Sequence, residues 1–318
     1  MATNSVEREA PRIPGPNNLI RPVRPVTNII NTYEGPRGKS LIEAFTGDTY
    51  IRNRDPLREI AIKFEQRVFG IDRKQASDEV FQNMRWDRGI VELAHELEPY
   101  SPEENGFEKA GRFVAEILHL PKPEKESIDG YIGCVTGQLF MLPTDEGFKK
   151  ILYMSGGTIL DEYRRMGLGA KFFQVANGLH KPHIIIIRVR SGRAIGSLIR
   201  SKLVDPEKIF PFYKRWSADP EKEKALGIVE KRTINPKGVD KETGIAKSVY
   251  LEGWDRAYTP DPKYPESYKW DVEMKELGLV SANGDGMFIA ADVIGRHREL
   301  LIEESIIEEL VEIEEAMV

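Results

Sequence analysis

Cysteine is almost missing from this sequence. Cys134 is the only one in 318 residues, so no intramolecular disulfide can form and no thiolate cluster exists to hold zinc. Histidine is scarce too, with five in all. His180 and His183 stand close, but Pro182 lies between them and an apolar stretch follows, so the pair reads as a loop entering a strand rather than as metal ligands. Long apolar runs are lacking as well: the most apolar, Ile184 to Ile187, is far too short to span a bilayer. The first residues, MATNSVEREAPRIPGP, hold no apolar stretch of the secretory kind. The expectation is a cytoplasmic, reducing setting without membrane contact. There is no excess of positive charge either. Lys and Arg number 46 against 51 Asp and Glu, a net charge of −5, which argues against a general nucleic-acid binder.

What is present reads in three parts. Residues 1–47 are rich in Pro, Asn, Arg and Gly and read as an extended arm. Gly35-Pro36-Arg37-Gly38-Lys39-Ser40 ends like a phosphate-binding loop, but Tyr33 stands where the first glycine belongs, so it reads as a polar turn. Residues 48–216 read as the folded domain and 217–318 as a C-terminal extension. In the domain, Tyr50 and Ile51 read as the start of a strand. Leu57, Ile60, Ala61, Phe64 and Val68 recur at helical spacing, with Gly70 as the stop. A second helix is expected over about 77–98. Residues 112–120, 131–142, 149–159 and 184–190 read as strands, the first two joined by a polar hairpin connection. Residues 167–179 and 192–203 read as helices. This order gives an α+β fold with a mixed, mostly antiparallel sheet flanked by helices. The extension closes with an acidic helix over about 293–317, which packs on its own domain or serves a homodimer contact.

The stretch that carries chemistry is ILYMSGGTILDEYRRMGLGAKFF, from Ile151 to Phe173. It reads as a strand, a short acidic turn, then Arg164-x-x-Gly167-x-Gly169 opening an amphipathic helix. Glycines let a backbone approach a ligand without an intervening Cβ and adopt conformations other residues avoid. The N–H groups at a helix start then point at an anion, with the dipole in favour. Gly156-Gly157 inside the strand fits a bulge.

These residues resemble the signature of the GNAT superfamily of acyl-CoA-dependent N-acyltransferases: Arg or Gln, two residues, Gly, one residue, then Gly or Ala, after the fourth strand. Arg164, Gly167 and Gly169 match it. The resemblance implies that an acyl-CoA, such as acetyl-CoA, lies along this strand. Arg164, Arg165 and the backbone from Met166 through Gly167, Leu168 and Gly169 to Ala170 would cradle its pyrophosphate. Ile159 and Leu160 would pair with the pantetheine amides, and the sheet would open beside them. Ser191–Gly196 (SGRAIG), with Val204-Asp205-Pro206, resembles the GNAT domains attached to carbon–nitrogen hydrolases.

The acceptor that the resemblance implies is an amine. A lysine-like amine has a pKa of about 10.4, so freeing its lone pair at pH 7 costs about 4.6 kcal/mol, and a general base is needed. Glu116, an acid within the apolar stretch FVAEIL, faces either the cleft or solvent. The family's leaving-group tyrosine, in the helix after the fifth strand, has no counterpart around Ser197. Tyr213 is a substitute, with an aromatic core position as the other reading. Two functions stay open: an acyltransferase acting on an amine, and a catalytically inactive CoA-binding or scaffolding protein of the same fold.

Overall fold

The computed structural model describes residues 29–35, 38–84, 89–96, 128, 131–145, 147–164, 166–232, 238–249, 265–280 and 283–295. The expected strand over 112–120, its hairpin connection and most of the acidic tail lie outside them.

The described chain begins with a hairpin, β1 (Ile29–Gly35) and β2 (Gly38–Thr46). The first residues read as an arm are therefore sheet from Ile29 onward. The reason lies downstream: β2 is paired on both edges, and its Ile42, Ala44 and Phe45 are buried. Helix α1 (Gly47–Phe69) follows at once. Tyr50, expected in a strand, is a fully buried helical residue whose hydroxyl donates to Met84 O at 2.9 Å. The helix buries Leu57, Ala61 and Phe64 and stops where expected. Gly70 takes φ +67° and donates its N–H to Gln66 O at 3.0 Å.

Helix α2 (Arg73–Asn83) opens with a reciprocal cap. Asp72 Oδ1 accepts the Gln75 N–H at 2.9 Å while Gln75 Oε1 accepts the Asp72 N–H at 3.2 Å. The helix ends there, and the expected continuation to residue 98 is instead strand β3 (Gly89–Glu96). Ile90, Val91, Leu93 and Ala94 are all buried because helices cover both faces of this strand, which erases the alternation that would have betrayed it.

Strands β4 (Tyr131–Thr144) and β5 (Gly147–Ile159) form a long hairpin. Helix α3 (Leu168–His180) then crosses over to β6 (Ile184–Val189), parallel to β5. Helix α4 (Gly192–Arg200), helix α5 (Pro220–Arg232), the two-residue β7 (Ile245–Ala246), helix α6 (Pro265–Glu276) and β8 (Gly286–Asp292) complete the chain. The eight strands make one sheet in the order β1-β2-β3-β4-β5-β6-β8-β7. Every neighbouring pair is antiparallel except β5 and β6. This is the α+β, mostly antiparallel architecture expected.

The described part of residues 217–318, expected as a C-terminal extension, joins the sheet and the core. β8 pairs with β6 over six residues. Leu226 and Val229 of α5, with Trp216, close a second cluster over Ile151, Tyr153, Ile184 and Ile186. Nearly buried Lys222 reaches Asp292 at 2.6 Å. Helix α6 lies on α4, and the contact is tight. A Cβ on Gly192 would sit 2.1 Å from Ser267 O, and the Gly192 N–H donates to Asp271 Oδ1 at 2.6 Å. The glycines of Ser191–Gly196 thus serve helix packing. Replacing Gly192 by Ala should cost about 1–3 kcal/mol as overpacking, measured as a lower urea midpoint. An unchanged midpoint would mean that α6 does not dock this closely.

Candidate functional site

Strand β5 organises the site. Its register against β4 slips between Thr136↔Gly156 and Gly137↔Met154, leaving Ser155 as the extra residue of a bulge. The bulge thus falls one residue before the glycine pair that signalled it. Polar contacts pin it in place. The Ser155 hydroxyl lies 3.0 Å from Thr136 Oγ1 and donates to Thr136 O at 3.2 Å, and Ser155 O accepts from the buried Arg188 guanidinium at 3.4 Å.

Past the bulge the sheet opens. β5 and β6 pair only from Ile151↔Ile184 to Met154↔Ile187, although β5 runs on to Ile159 and β6 to Val189. Leu160 N–H bonds to Ile132 O at 3.1 Å. Hydrogen bonding alternates along an antiparallel ladder, so Thr158 also turns its backbone toward β4, while Gly157 and Ile159 turn theirs toward the gap. This corrects one expectation. Leu160 does not turn its backbone toward the gap: its N–H goes to Ile132 O and its carbonyl accepts the Tyr163 N–H at 2.9 Å. Gly157 holds an exposed position on the open edge.

The strand leads into a single 3-10 turn, Asp161–Tyr163, and then the glycine turn. Gly167 caps α3 at φ +83°, a left-handed conformation that costs other residues about 1 kcal/mol or more. The first intrahelical bond is Lys171 N–H to Gly167 O, so the N–H groups of Leu168, Gly169 and Ala170 precede it and face outward along the axis. Arg164, part-exposed, pairs with Asp161 at 2.6 Å beside this helix start. Met166 and Leu168 bury their side chains and contribute backbone alone. Arg165 is outside the described residues. Gly169 has a packing role too, since a Cβ there would lie 2.6 Å from Ser197 Oγ of α4.

On the face covered by α1 and α2, a small hollow of about 10 Å³, room for about one water, abuts the bulge. Ala61, Phe64 and Glu65 of α1 and Val80 of α2 face Cys134, Thr136 and Gly156–Thr158. Thr158 Oγ1 donates to Glu65 Oε1 at 3.4 Å. Burial, and then the Glu65 charge, push the Cys134 thiol far up, which keeps it protonated. Glu65 escaped the sequence reading, although an acid next to Phe64 and four residues from Ala61 on the buried helix face was a usable signal.

Of the two expected catalytic residues, only Tyr213 is among the described residues. Glu116 lies outside the described residues. Tyr213 is 46% exposed, so it is not a core aromatic; its ring meets Phe210 edge-on and Lys214, and it is not among the residues lining the hollow. His183 Nδ1 accepts the Lys150 N–H at 3.0 Å, and burial first, then Lys150, lower the His180 pKa to about 4. His180 ends α3, and His183 belongs to the loop before β6.

No protein-family model matches this sequence, and no curated protein matches it. Solved structures that match part of this chain include acetyltransferases. An aminoglycoside acetyltransferase from an uncultured soil sample, in complex with trehalose, is 13% identical over 51% of this chain and 86% of its own, at TM-score 0.31. NAA60 of Arabidopsis thaliana, with a bisubstrate analogue, is 14% identical over 51% and 84%, at 0.29. A putative arylalkylamine N-acetyltransferase of the yellow fever mosquito is 8% identical over 66% and 91%, at 0.34. Overlaps this partial transfer no activity, so the chain's own residues must carry any functional reading.

One buried acid stands apart from the hollow. Glu92 of β3 is fully buried, and neither carboxyl oxygen has a hydrogen-bond partner among the described residues. It pairs across the sheet with Val135, on the face where Gly133 meets Phe172 of α3. Burial raises its pKa well above the ordinary 4.5. The folded state therefore holds a proton that the unfolded state releases, so this group's contribution is full below about pH 4.5 and is lost as pH rises toward the folded value. Glu92→Gln should melt higher than the parent protein by a margin that widens from pH 5 to pH 8. A margin independent of pH would show that Glu92 is already ionised when folded.

Proposed function

We propose that this chain binds an acyl-CoA along the open edge of β5 and transfers the acyl group to an amine. One observation carries the reading. The strand whose edge lies free at Gly157 and Ile159 ends, within ten residues, at the N-terminus of α3 behind left-handed Gly167. An extended amide-bearing chain ending in a pyrophosphate fits that sequence of groups: strand-like pairing first, then anion capture. The residues present suit it. Gly157 and Ile159 offer backbone donors and acceptors to the pantetheine amides, and the N–H groups of Leu168, Gly169 and Ala170 with the Arg164 guanidinium meet the pyrophosphate.

The acyl-CoA supplies the activated thioester; the protein's share is to hold it, exclude water and prepare the acceptor. In this placement the thioester comes to the bulge, where Gly156 and Gly157 border the hollow on the α1 side. Backbone N–H groups of the opened strand are the donors placed for a developing oxyanion. A cytoplasmic location belongs to the same reading; among the described residues no helix is long and apolar enough to cross a membrane. The second reading, CoA binding without turnover, draws on α4. That helix carries no tyrosine, and its Ser197 is spent packing against Gly169.

Gly167→Glu tests the donor site. A carboxylate at the helix start opposes the pyrophosphate, and CoA affinity measured by calorimetry should fall about 100-fold or more, equivalent to about 2.7 kcal/mol. Gly167→Asn, which tolerates left-handed backbone without adding charge, should keep most of the affinity. Equal CoA binding by the glutamate variant and the parent would refute the site.

A further inference from the structure

We infer that one of the two reactants carries a carboxylate, bound where β5 and β6 part by Arg188 of β6 and Arg190 just after it. This rests on the acyl-CoA reading above and narrows its substrates. β6 leaves β5 after Ile187, the last paired position, and Arg188, Val189 and Arg190 follow. Side chains alternate along a strand, so Arg188 continues the side on which Ile184 and Ile186 enter the second core cluster. That is the α1 side: Ile186 stands beside Tyr153, Tyr153 beside Gln138, and Gln138 is two residues from Thr136 of the hollow. Arg188 is 8% exposed, and its guanidinium crosses the fork to Ser155 O at 3.4 Å. Arg190 reaches the end of α1, its Cζ 6.0 Å from the centre of the Phe69 ring. Both cations thus stand next to the position given to the thioester.

Two guanidinium groups in this arrangement repel each other. Their Cα atoms are about 7 Å apart along the chain, and neither group can shed its proton. Withdrawing such a charge from water is costly unless an anion meets it. Glu65 is the one carboxylate among the described lining residues of the hollow, so two positive charges stand against one negative on this side. A reactant carboxylate restores the balance, and its planar oxygens match the guanidinium fork with two parallel bonds. A simple ammonium gains nothing from the pair. The carboxylate has two sources. It ends a dicarboxylic acyl group, reaching from the thioester toward the fork, or it belongs to an acceptor that arrives from the α1 side.

The test uses the full chain and substrate pairs that differ in the carboxylate alone, with amide formation followed by mass spectrometry. In the donor arm succinyl-CoA is set against butyryl-CoA, with alaninamide as acceptor. In the acceptor arm alanine and phenylalanine are set against their amides, with acetyl-CoA as donor and rates expressed per unprotonated amine. One arm should favour the carboxylate at least 20-fold in kcat/KM, and that arm names its source. Arg188→Met, similar in length but uncharged, should cut the preference at least 10-fold while CoA affinity by calorimetry stays within about twofold. Arg188→Lys should keep part of the preference. A merely structural role would lower both members of a pair together and leave their ratio intact. Should Arg188→Met fail to fold, Arg190→Met carries the same expectation. No preference in either arm overturns the inference, and so does a preference that survives both methionine substitutions. CoA binding without turnover of any pair also overturns it and leaves the donor site standing. A parent protein that binds no CoA refutes the acyl-CoA reading itself, and this inference with it.

Discussion

The parting of β5 from β6 is the constraint on which the rest of this structure depends. A strand in the middle of a sheet normally satisfies its backbone on both edges. Here β5 is paired to β4 along its length but to β6 over only four positions, Ile151 to Met154. Beyond them one edge of the strand is left open in the interior of a sheet that continues on the far side. Such an edge invites another extended chain to complete it. The Ser155 bulge supplies the local bend, and its hydroxyl contacts with Thr136, together with Arg188 from β6, hold that bend in a fixed shape.

Several distant features keep the gap from closing or collapsing. β6 is held on its other side by β8, which arrives from almost a hundred residues later. Helix α6 grips the start of α4 through the Asp271 carboxylate on the Gly192 N–H, and α4 in turn presses Ser197 against Gly169 at the start of α3. The glycine turn is thus fixed by a chain of close helix contacts that begins in the C-terminal third. Gly169 leaves space for a neighbouring helix, and a bulkier residue there would press on Ser197.

How much was legible varied with the range of the interaction. The strand–turn–helix of residues 151–180 was readable because its signals are local: a left-handed cap needs glycine, and a helix stop at Gly70 needs the same. β3 was not. Its buried residues follow one another without alternation, because helices lie on both faces, and a run such as GIVELAHE satisfies helical spacing equally well. Leu160 was misassigned for a related reason. Which way an amide points along a strand depends on register with the neighbour, and a nearby bulge resets it. Glu65 shows the same limit from the other side, since a glutamate in an amphipathic helix is ordinary until the opposite wall is known.

The sequence alone determined the α+β class, the strand, glycine turn and helix of residues 151–180, and the helix stop at Gly70. These depend on backbone conformation and hydrogen bonds within a few residues, which composition encodes directly. Only the tertiary structure decided that the first hairpin and the last strand belong to the same sheet. It also decided that β5 stands open at Gly157 and Ile159, and that Glu65 of α1 faces the bulge. Those outcomes depend on pairings between segments far apart in the chain, whose relative energies no local pattern records.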